Sequence, residues 1–89
     1  MTVQIAGHPV ASRPDDESVV ILGSDRKYYS LTGPGRLVWD LLSAGPRTRP
    51  ELVAAIVQSY EVEAPRAGAD LDALLGQLME AGLVEQAAA

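Results

Sequence analysis

Few side chains in this sequence could carry out chemistry, and none has the partners that a reaction would need. His8 is the only histidine, it stands beside a proline close to the N-terminus, and the chain has no cysteine. A Ser-His-Asp or Cys-His arrangement therefore cannot be assembled, and we interpret His8 as a structural or solvent-exposed residue. The sequence predicts a protein that is not an enzyme.

Two short motifs have the residue types of ligand-binding loops. The acidic run 15–17 could ligate a hard cation, but it lacks the regularly spaced oxygens and the glycine of an EF-hand loop, which favours a solvated turn. The run Gly33-Pro34-Gly35 could cradle a phosphate, but no Lys-Ser/Thr pair follows it and Pro34 removes an amide donor. We therefore interpret it as the start of a helix, and we expect neither a metal nor a cofactor.

The composition restricts the class of partner. The 89 residues carry 7 Lys and Arg against 12 Asp and Glu, a net charge of −5. Such a chain repels a phosphate backbone and an anionic bilayer, so nucleic acid and membrane are both unlikely partners. Apolar runs fall far short of the ~18 to 20 residues that span a membrane, and a signal peptide is not evident. We expect a cytoplasmic protein with one domain over 1–89, a loose arm over 1–7 and a frayed tail over 86–89.

Three strands are expected in the first third of the chain. The segment 10–13 alternates and is closed by Pro14, and 18–22 is rich in β-branched residues. A turn at 23–25 joins the latter to a third strand over Arg26 to Leu31, which points Tyr29 and Leu31 to one face and Tyr28 and Ser30 to the other. The pattern predicts an antiparallel three-stranded meander.

Three helices follow the strands. Thr32 is the expected N-cap of the first helix, which Gly45-Pro46 ends. A capping box at Thr48-Arg49-Pro50-Glu51 opens the second helix. The third begins at Ala64-Pro65 and is closed by Gly82. The predicted fold class is α+β and winged-helix-like, a three-stranded antiparallel sheet followed by three helices.

A winged-helix outline raises the possibility of DNA binding, because helix three would occupy the place of a recognition helix. Residues 64–81 carry one basic residue, Arg66, against Asp70, Asp72 and Glu80. A net charge of −2 on the element that would meet phosphates opposes this use.

Peptide binding at a sheet edge is the remaining option. The strand Arg26 to Leu31 lies at one edge of the meander, and a helix nearby would leave a groove that accepts an added strand. On helix three, 70, 74 and 77 form a stripe beside the core stripe of 71, 75 and 78. Several of these residues, Tyr29 and Leu71 among them, would also be core. The candidate binding residues are Arg26, Lys27, Tyr28, Tyr29, Ser30, Leu31, Asp70, Leu71, Leu74, Gln77 and Leu78.

The motifs of this region, taken in order, resemble those of the PqqD-like family. The resemblance starts with Lys27-Tyr28-Tyr29-Ser30-Leu31-Thr32-Gly33-Pro34-Gly35 and continues with Val38-Trp39-Asp40-Leu41-Leu42. It extends through Thr48 to Val53, Tyr60, Ala69 to Leu71 and Leu78 to Ala81-Gly82-Leu83-Val84, so that it covers about 10–85. Thr32 stands where the family usually has Asn, and both residues can cap a helix.

The resemblance implies a RiPP recognition element, which binds the leader of a ribosomally made precursor peptide and delivers it to modifying enzymes. In this family the leader adds to the third strand and lies against the third helix. The chain is most similar to the stand-alone recognition proteins of split lasso-peptide systems. Their partners are a leader peptidase of the cysteine-protease type and an ATP-dependent macrocyclase, and their leaders carry a Tyr-x-x-Pro motif. The alternative within the family is a peptide chaperone for a quinone-cofactor or other radical-enzyme pathway.

Overall fold

The computed structural model describes residues 1–87, in which six strands and three helices are seen. The predicted order of three strands followed by three helices is incomplete, because one further strand follows the first helix and another follows the third helix. In chain order the elements are β1 (Thr2–Ile5), β2 (Ala11–Ser12), β3 (Ser18–Leu22), β4 (Tyr28–Thr32), α1 (Pro34–Ala44), β5 (Arg47–Thr48), α2 (Arg49–Tyr60), α3 (Ala64–Glu80) and β6 (Val84–Gln86).

The predicted meander is confirmed as an antiparallel sheet in the order β2-β3-β4. Ser18 pairs with Thr32 and Leu22 with Tyr28, so β3 and β4 match over their whole length. The alternation is also as predicted: Val19, Ile21 and Leu31 are buried on the inner face, whereas Tyr28 and Ser30 are exposed. β4 is the edge strand of this sheet. The α+β fold of three antiparallel strands and three helices is therefore correct.

The predicted loose arm over 1–7 is wrong, because β1 is the central strand of a second sheet in the order β5-β1-β6. Val3 is completely buried in this sheet and pairs with Gln86 on one side and Arg47 on the other. The burial of Val3 and the two ladders hold the segment in place. The predicted frayed tail is wrong at 86 and 87 for the same reason, since Gln86 lies in β6 and the Ala87 N–H donates to Thr2 O at 2.9 Å. Its last two residues, 88 and 89, lie outside the described part of the chain.

The helix termini agree with the sequence except at α1. Thr32 is the last residue of β4 rather than a helix cap, and Gly33 is the N-cap with a positive φ of 55°. The pairing of Thr32 with Ser18 keeps it extended, so the glycine makes the turn into the helix. The capping box is confirmed, with Thr48 Oγ1 accepting from the Glu51 N–H and the Glu51 carboxylate accepting from the Thr48 N–H.

Gly82 ends α3 as predicted. Its φ is +73°, the Leu83 N–H donates to Leu78 O and the Gly82 N–H donates to Met79 O, which together form a Schellman motif. Ser24 Oγ lies where a Cβ of residue 82 would be, so this turn packs directly against the β3–β4 hairpin. The hairpin is thereby fixed to the end of α3.

The buried side chains form one cluster between the two sheets and the helices. Trp39 of α1 is 2% exposed and lies in this cluster, together with Leu71, Leu75 and Leu78 of α3. The helices thus bring α3 and the inner face of the β2-β3-β4 sheet into one packed core.

Candidate peptide-binding site

The β3–β4 hairpin is held by Asp25. Its Oδ1 accepts from the Lys27 N–H at 3.1 Å, and its Oδ2 accepts from the Tyr29 hydroxyl at 2.5 Å. These bonds lower the pKa of Asp25, chiefly through the tyrosine hydroxyl, and they raise the pKa of Tyr29. The ring of Tyr29 passes so close to Gly23 that an added Cβ would come within 2.9 Å of it. The start of β4 is therefore fixed in position.

The open edge of β4 presents the backbone groups of alternate residues. The Leu22 N–H donates to Val10 O, while the Gly23 N–H donates to Lys27 O across the hairpin. Residues 20 and 22 of β3 thus bond to β2, and 19, 21 and 23 bond to β4. Tyr29 and Leu31, which pair with 21 and 19, use their backbone groups within the sheet. It follows that Tyr28, Ser30 and Thr32 direct their N–H and C=O groups outward.

A groove of about 280 Å³ runs beside this edge. β4 forms one wall and α3 the other, while the first turn of α1 and one residue of α2 close the bottom. An ideal Cβ on Gly35 would lie 3.6 Å from Leu31 Cβ and 3.7 Å from Leu74 Cδ1, so the two leucines flank the space above the glycine. The lining residues are Ser30, Leu31, Thr32, Pro34, Gly35, Ile56, Asp70, Leu71 and Leu74.

The α3 wall is apolar below and polar above. Leu71 is buried at its base, Leu74 is half-buried and Asp70 is exposed at its rim. Arg66 Nε lies 3.7 Å from Asp70 Oδ2, an exposed i,i+4 pair that holds the carboxylate only weakly. The groove can therefore take an apolar side chain, with a carboxylate above it that can accept a hydrogen bond.

Five of the eleven predicted residues meet at this groove, namely Ser30, Leu31, Asp70, Leu71 and Leu74. Tyr28 and Tyr29 belong to the same strand, the first exposed on the outer face and the second bonded to Asp25. The other four lie elsewhere. Arg26 and Lys27 are outside β4, with Arg26 in a left-handed turn at φ 65°. Gln77 is exposed beyond the groove, and Leu78 is 1% exposed in the core.

Four residues of the groove were not predicted. Thr32 was expected to cap a helix and Pro34 and Gly35 to start it, while Ile56 was not among the predicted binding residues. The spacing of Leu52 and Ile56, four residues apart, places both on the buried face of α2, but only the packing of α2 against α3 brings Ile56 under the groove. The Gly at 35 was a usable signal, since a helix with a glycine on its inward face leaves space there.

A wider cleft of about 440 Å³ lies past the end of β4 and shares Thr32 with the groove. It is lined by Glu17, Arg36, Asp40 and Tyr60, among others. Arg36 donates to Asp16 O, and Asp40 accepts from Arg13 at 2.5 Å. Its charges are thus largely engaged within the protein, which leaves the apolar groove as the better candidate site.

Other kinds of site find no support in residues 1–87. No group of three or more His, Cys, Asp or Glu side chains in this part of the chain is placed to hold a metal ion. No helix among the same residues is long and apolar enough to cross a membrane.

Two solved structures resemble this fold closely. One is described as TbiB1 in complex with the TbiA(beta) leader peptide, with a TM-score of 0.82 and 31% identity over 97% of this chain and 99% of that one. The other is a lasso peptide synthetase B1 complexed with the leader peptide, with a TM-score of 0.73 and 25% identity over 93% and 96% of the two chains. A search of curated proteins returned no match.

The family itself is settled by a sequence model that covers most of the chain. The model is described as Coenzyme PQQ synthesis protein D, and it matches residues 18–84, from the first residue of β3 to the first of β6. This span includes β4, α3 and the whole lining of the groove. The resemblance noted in the sequence is therefore confirmed, and the chain belongs to the PqqD family.

Proposed function

We propose that this protein is a recognition element that binds the leader region of a ribosomally made precursor peptide. The observation that carries the proposal is the open edge of β4 beside an apolar groove. Tyr28, Ser30 and Thr32 offer outward backbone groups, and the groove between Leu31 and Leu74 accepts a side chain of the added strand. Affinity would come from main-chain hydrogen bonds and selectivity from the side chain in the groove.

The energy available suits a reversible carrier. A micromolar complex requires about 8 kcal/mol. The outward N–H and C=O groups of Tyr28, Ser30 and Thr32 at ~0.5 to 1.5 kcal/mol each, with one or two buried apolar side chains at ~1.5 to 3 kcal/mol each, supply a gross ~5 to 15 kcal/mol. Association and ordering of the peptide cost at least ~4 kcal/mol of this, so micromolar affinity is at the upper end of what the site can supply. Such a complex releases its peptide readily, which a protein that hands a substrate to enzymes requires.

The pathway we propose is lasso-peptide maturation. Both similar structures hold a leader peptide, and one is named lasso peptide synthetase B1. The further partners would then be a leader peptidase of the cysteine-protease type and a macrocyclase, with a leader of the Tyr-x-x-Pro kind. The protein itself would position the leader without catalysing a step. The description of the family model favours a second candidate, a peptide chaperone in quinone-cofactor synthesis.

The test compares two proline variants. Ser30→Pro removes an outward amide from the β4 edge. The control, Ala11→Pro, removes an outward amide from the opposite edge of the sheet. The amide of Ala11 faces outward because its partner Ile21 directs its own backbone groups to β4. Fluorescence polarisation would follow a labelled TbiA(beta) leader, its scrambled version and the strongest binders selected from a random peptide display library. We expect at least tenfold weaker binding to Ser30→Pro and unchanged binding to Ala11→Pro.

Circular dichroism melts would verify that both variants fold. Backbone N-methylation of the selected peptide provides the same test from the ligand side should Ser30→Pro fail to fold. Failure to select any peptide would refute peptide recognition, and equal affinity for Ser30→Pro and wild type would refute strand addition. A TbiA(beta) leader that binds no better than its scrambled form would refute the assignment to lasso leaders.

A further inference from the structure

An ion pair between Arg49 and Asp72 joins the first residue of α2 to the middle of α3. Arg49 Nε donates to Asp72 Oδ1 at 2.8 Å, and Arg49 Nη2 donates to Asp72 Oδ2 at 3.0 Å. The guanidinium thus binds both carboxylate oxygens, a geometry that fixes the orientation of the two side chains. Through these hydrogen bonds Arg49 also lowers the pKa of Asp72.

Gly68 leaves the space that the guanidinium occupies. It lies one turn before Asp72 on the same face of α3, and a Cβ at this position would come within 2.8 Å of Arg49 Nη2. Alanine would favour the helix itself, because glycine inside a helix lowers its stability. The same methyl group would displace the flexible end of the arginine side chain from Asp72. The ion pair therefore depends on the absence of a side chain at residue 68.

The ion pair attaches α3 to α2 at a distance from the turn that joins the two helices. The turn 61–63 connects the end of α2 to the start of α3, whereas Arg49 stands at the opposite end of α2. α2 contributes Ile56 to the floor of the groove, and α3 contributes Leu71 and Leu74 to its wall. Since residue 72 lies between these two leucines, the second attachment is at the wall itself.

Arg49 is in turn fixed to the second sheet. Its backbone N–H donates to Met1 O at 2.9 Å. The preceding residue, Thr48, pairs with Thr2 in the ladder between β1 and β5. The wall of the groove is thereby held by a part of the fold that lies outside the groove lining.

We propose that Arg49 is a positioning residue of the binding site, which through Asp72 holds the α3 wall at the distance from β4 that an added peptide strand requires. The inference rests on the proposed strand addition. The Arg49 side chain is 39% exposed and that of Asp72 56%, so the pair adds little to the stability of the fold. Its effect is on affinity, because a wall that moves in the free protein must be ordered when the peptide binds.

The experiment separates affinity from stability. Gly68→Ala displaces the guanidinium, and Arg49→Gln removes its charge. The matched control is Gly76→Ala, the same change on α3 at a site where a Cβ meets nothing within 4 Å. Each variant would be measured by thermal denaturation, by fluorescence polarisation with a peptide selected by display against wild type, and by amide hydrogen exchange of the free protein.

Gly68→Ala and Gly76→Ala are both expected to melt at or above the wild-type temperature, but only Gly68→Ala to bind the peptide about two- to fivefold more weakly. Arg49→Gln is expected to weaken binding by the same factor, and the double variant with Gly68→Ala to bind no more weakly than either single one. Amide exchange over 69–74 is expected to be faster in the variants that lose the pair than in Gly76→Ala.

Three results would overturn the inference while Ser30→Pro still shows strand addition. They are equal affinity of Gly68→Ala and Gly76→Ala, additive losses in the double variant, and exchange over 69–74 that is as slow without the pair as with it. Arg49→Gln provides the same comparison should Gly68→Ala fail to fold. Selections that enrich no peptide at all would instead refute the proposed function together with this inference.

Discussion

Replacement of Gly35 by alanine should stabilise the fold and weaken peptide binding at the same time. Gly35 lies in the first turn of α1, where its φ is not in the left-handed region. An added Cβ would sit 3.6 Å from Leu31 and 3.7 Å from Leu74, which is ordinary van der Waals contact. The methyl group therefore fits without strain, and it removes the conformational entropy of glycine from the unfolded chain.

The two effects have opposite signs. Glycine costs roughly 0.5 to 1 kcal/mol relative to alanine in a helix, so the melting temperature should rise by about 2 to 8 °C. The same methyl group occupies the floor of the 280 Å³ groove. A peptide side chain that fills this space would meet an overpacked site, which typically costs ~1 to 3 kcal/mol and corresponds to about five- to 150-fold weaker binding.

The control is Gly76→Ala, which makes the same change on α3. A Cβ at Gly76 would meet nothing within 4 Å, so it fills no part of the groove. Thermal denaturation by circular dichroism and fluorescence polarisation with a selected peptide would be measured on wild type and both variants. Gly76→Ala should gain stability and keep its affinity. If Gly35→Ala binds as tightly as Gly76→Ala, then the groove does not hold a peptide side chain and the reasoning is refuted.

Two further substitutions test the hydrogen bond between Asp25 and Tyr29 and the capping box at Thr48. Tyr29→Phe should flatten the pH dependence of stability at both ends. The hydrogen bond lowers the pKa of Asp25, so in the wild type its contribution is present above the ordinary pKa of 3.8 and is lost as the pH falls through the lowered pKa. The same bond raises the pKa of Tyr29, so its contribution is present below the ordinary pKa of 10.0 and is lost as the pH rises through the raised pKa. Urea midpoints across pH measure this, and superimposable curves for the two proteins would contradict it. Thr48→Ala should destabilise by ~0.5 to 2 kcal/mol through loss of the capping box while peptide affinity stays unchanged. An unaltered melting curve would show that the box contributes nothing.

The local parts of the fold could be predicted because their signals are adjacent in sequence. The β3–β4 hairpin, the capping box at Thr48 and the glycine end of α3 each depend on residues a few positions apart. The second sheet could not be predicted in this way. The alternation in 2–5 was visible, but β5 has only two residues and β6 only three, too few to show a pattern. Only the folded chain brings them beside β1.

The residues of the site that could be predicted are likewise those that depend on local patterns. The β4 edge and the Leu71–Leu74 wall followed from alternation and helical spacing, both local properties. The position of the groove along α3 did not, because it depends on where α3 crosses β4. Gln77 was therefore included although the groove ends before it, and Ile56 was left out although it forms part of the floor. Thr32 was misassigned because both a strand end and a helix cap suit a threonine.

The second sheet also has a consequence for the order of folding. Its β1–β6 ladder joins Gln4 to Glu85, 81 residues apart, whereas the β3–β4 hairpin closes over only a few residues. Closing a long loop costs more entropy, so we expect the ladder to form later than the hairpin. The edge that a peptide would join thus belongs to a local part of the fold, which we expect to form before β1 pairs with β6.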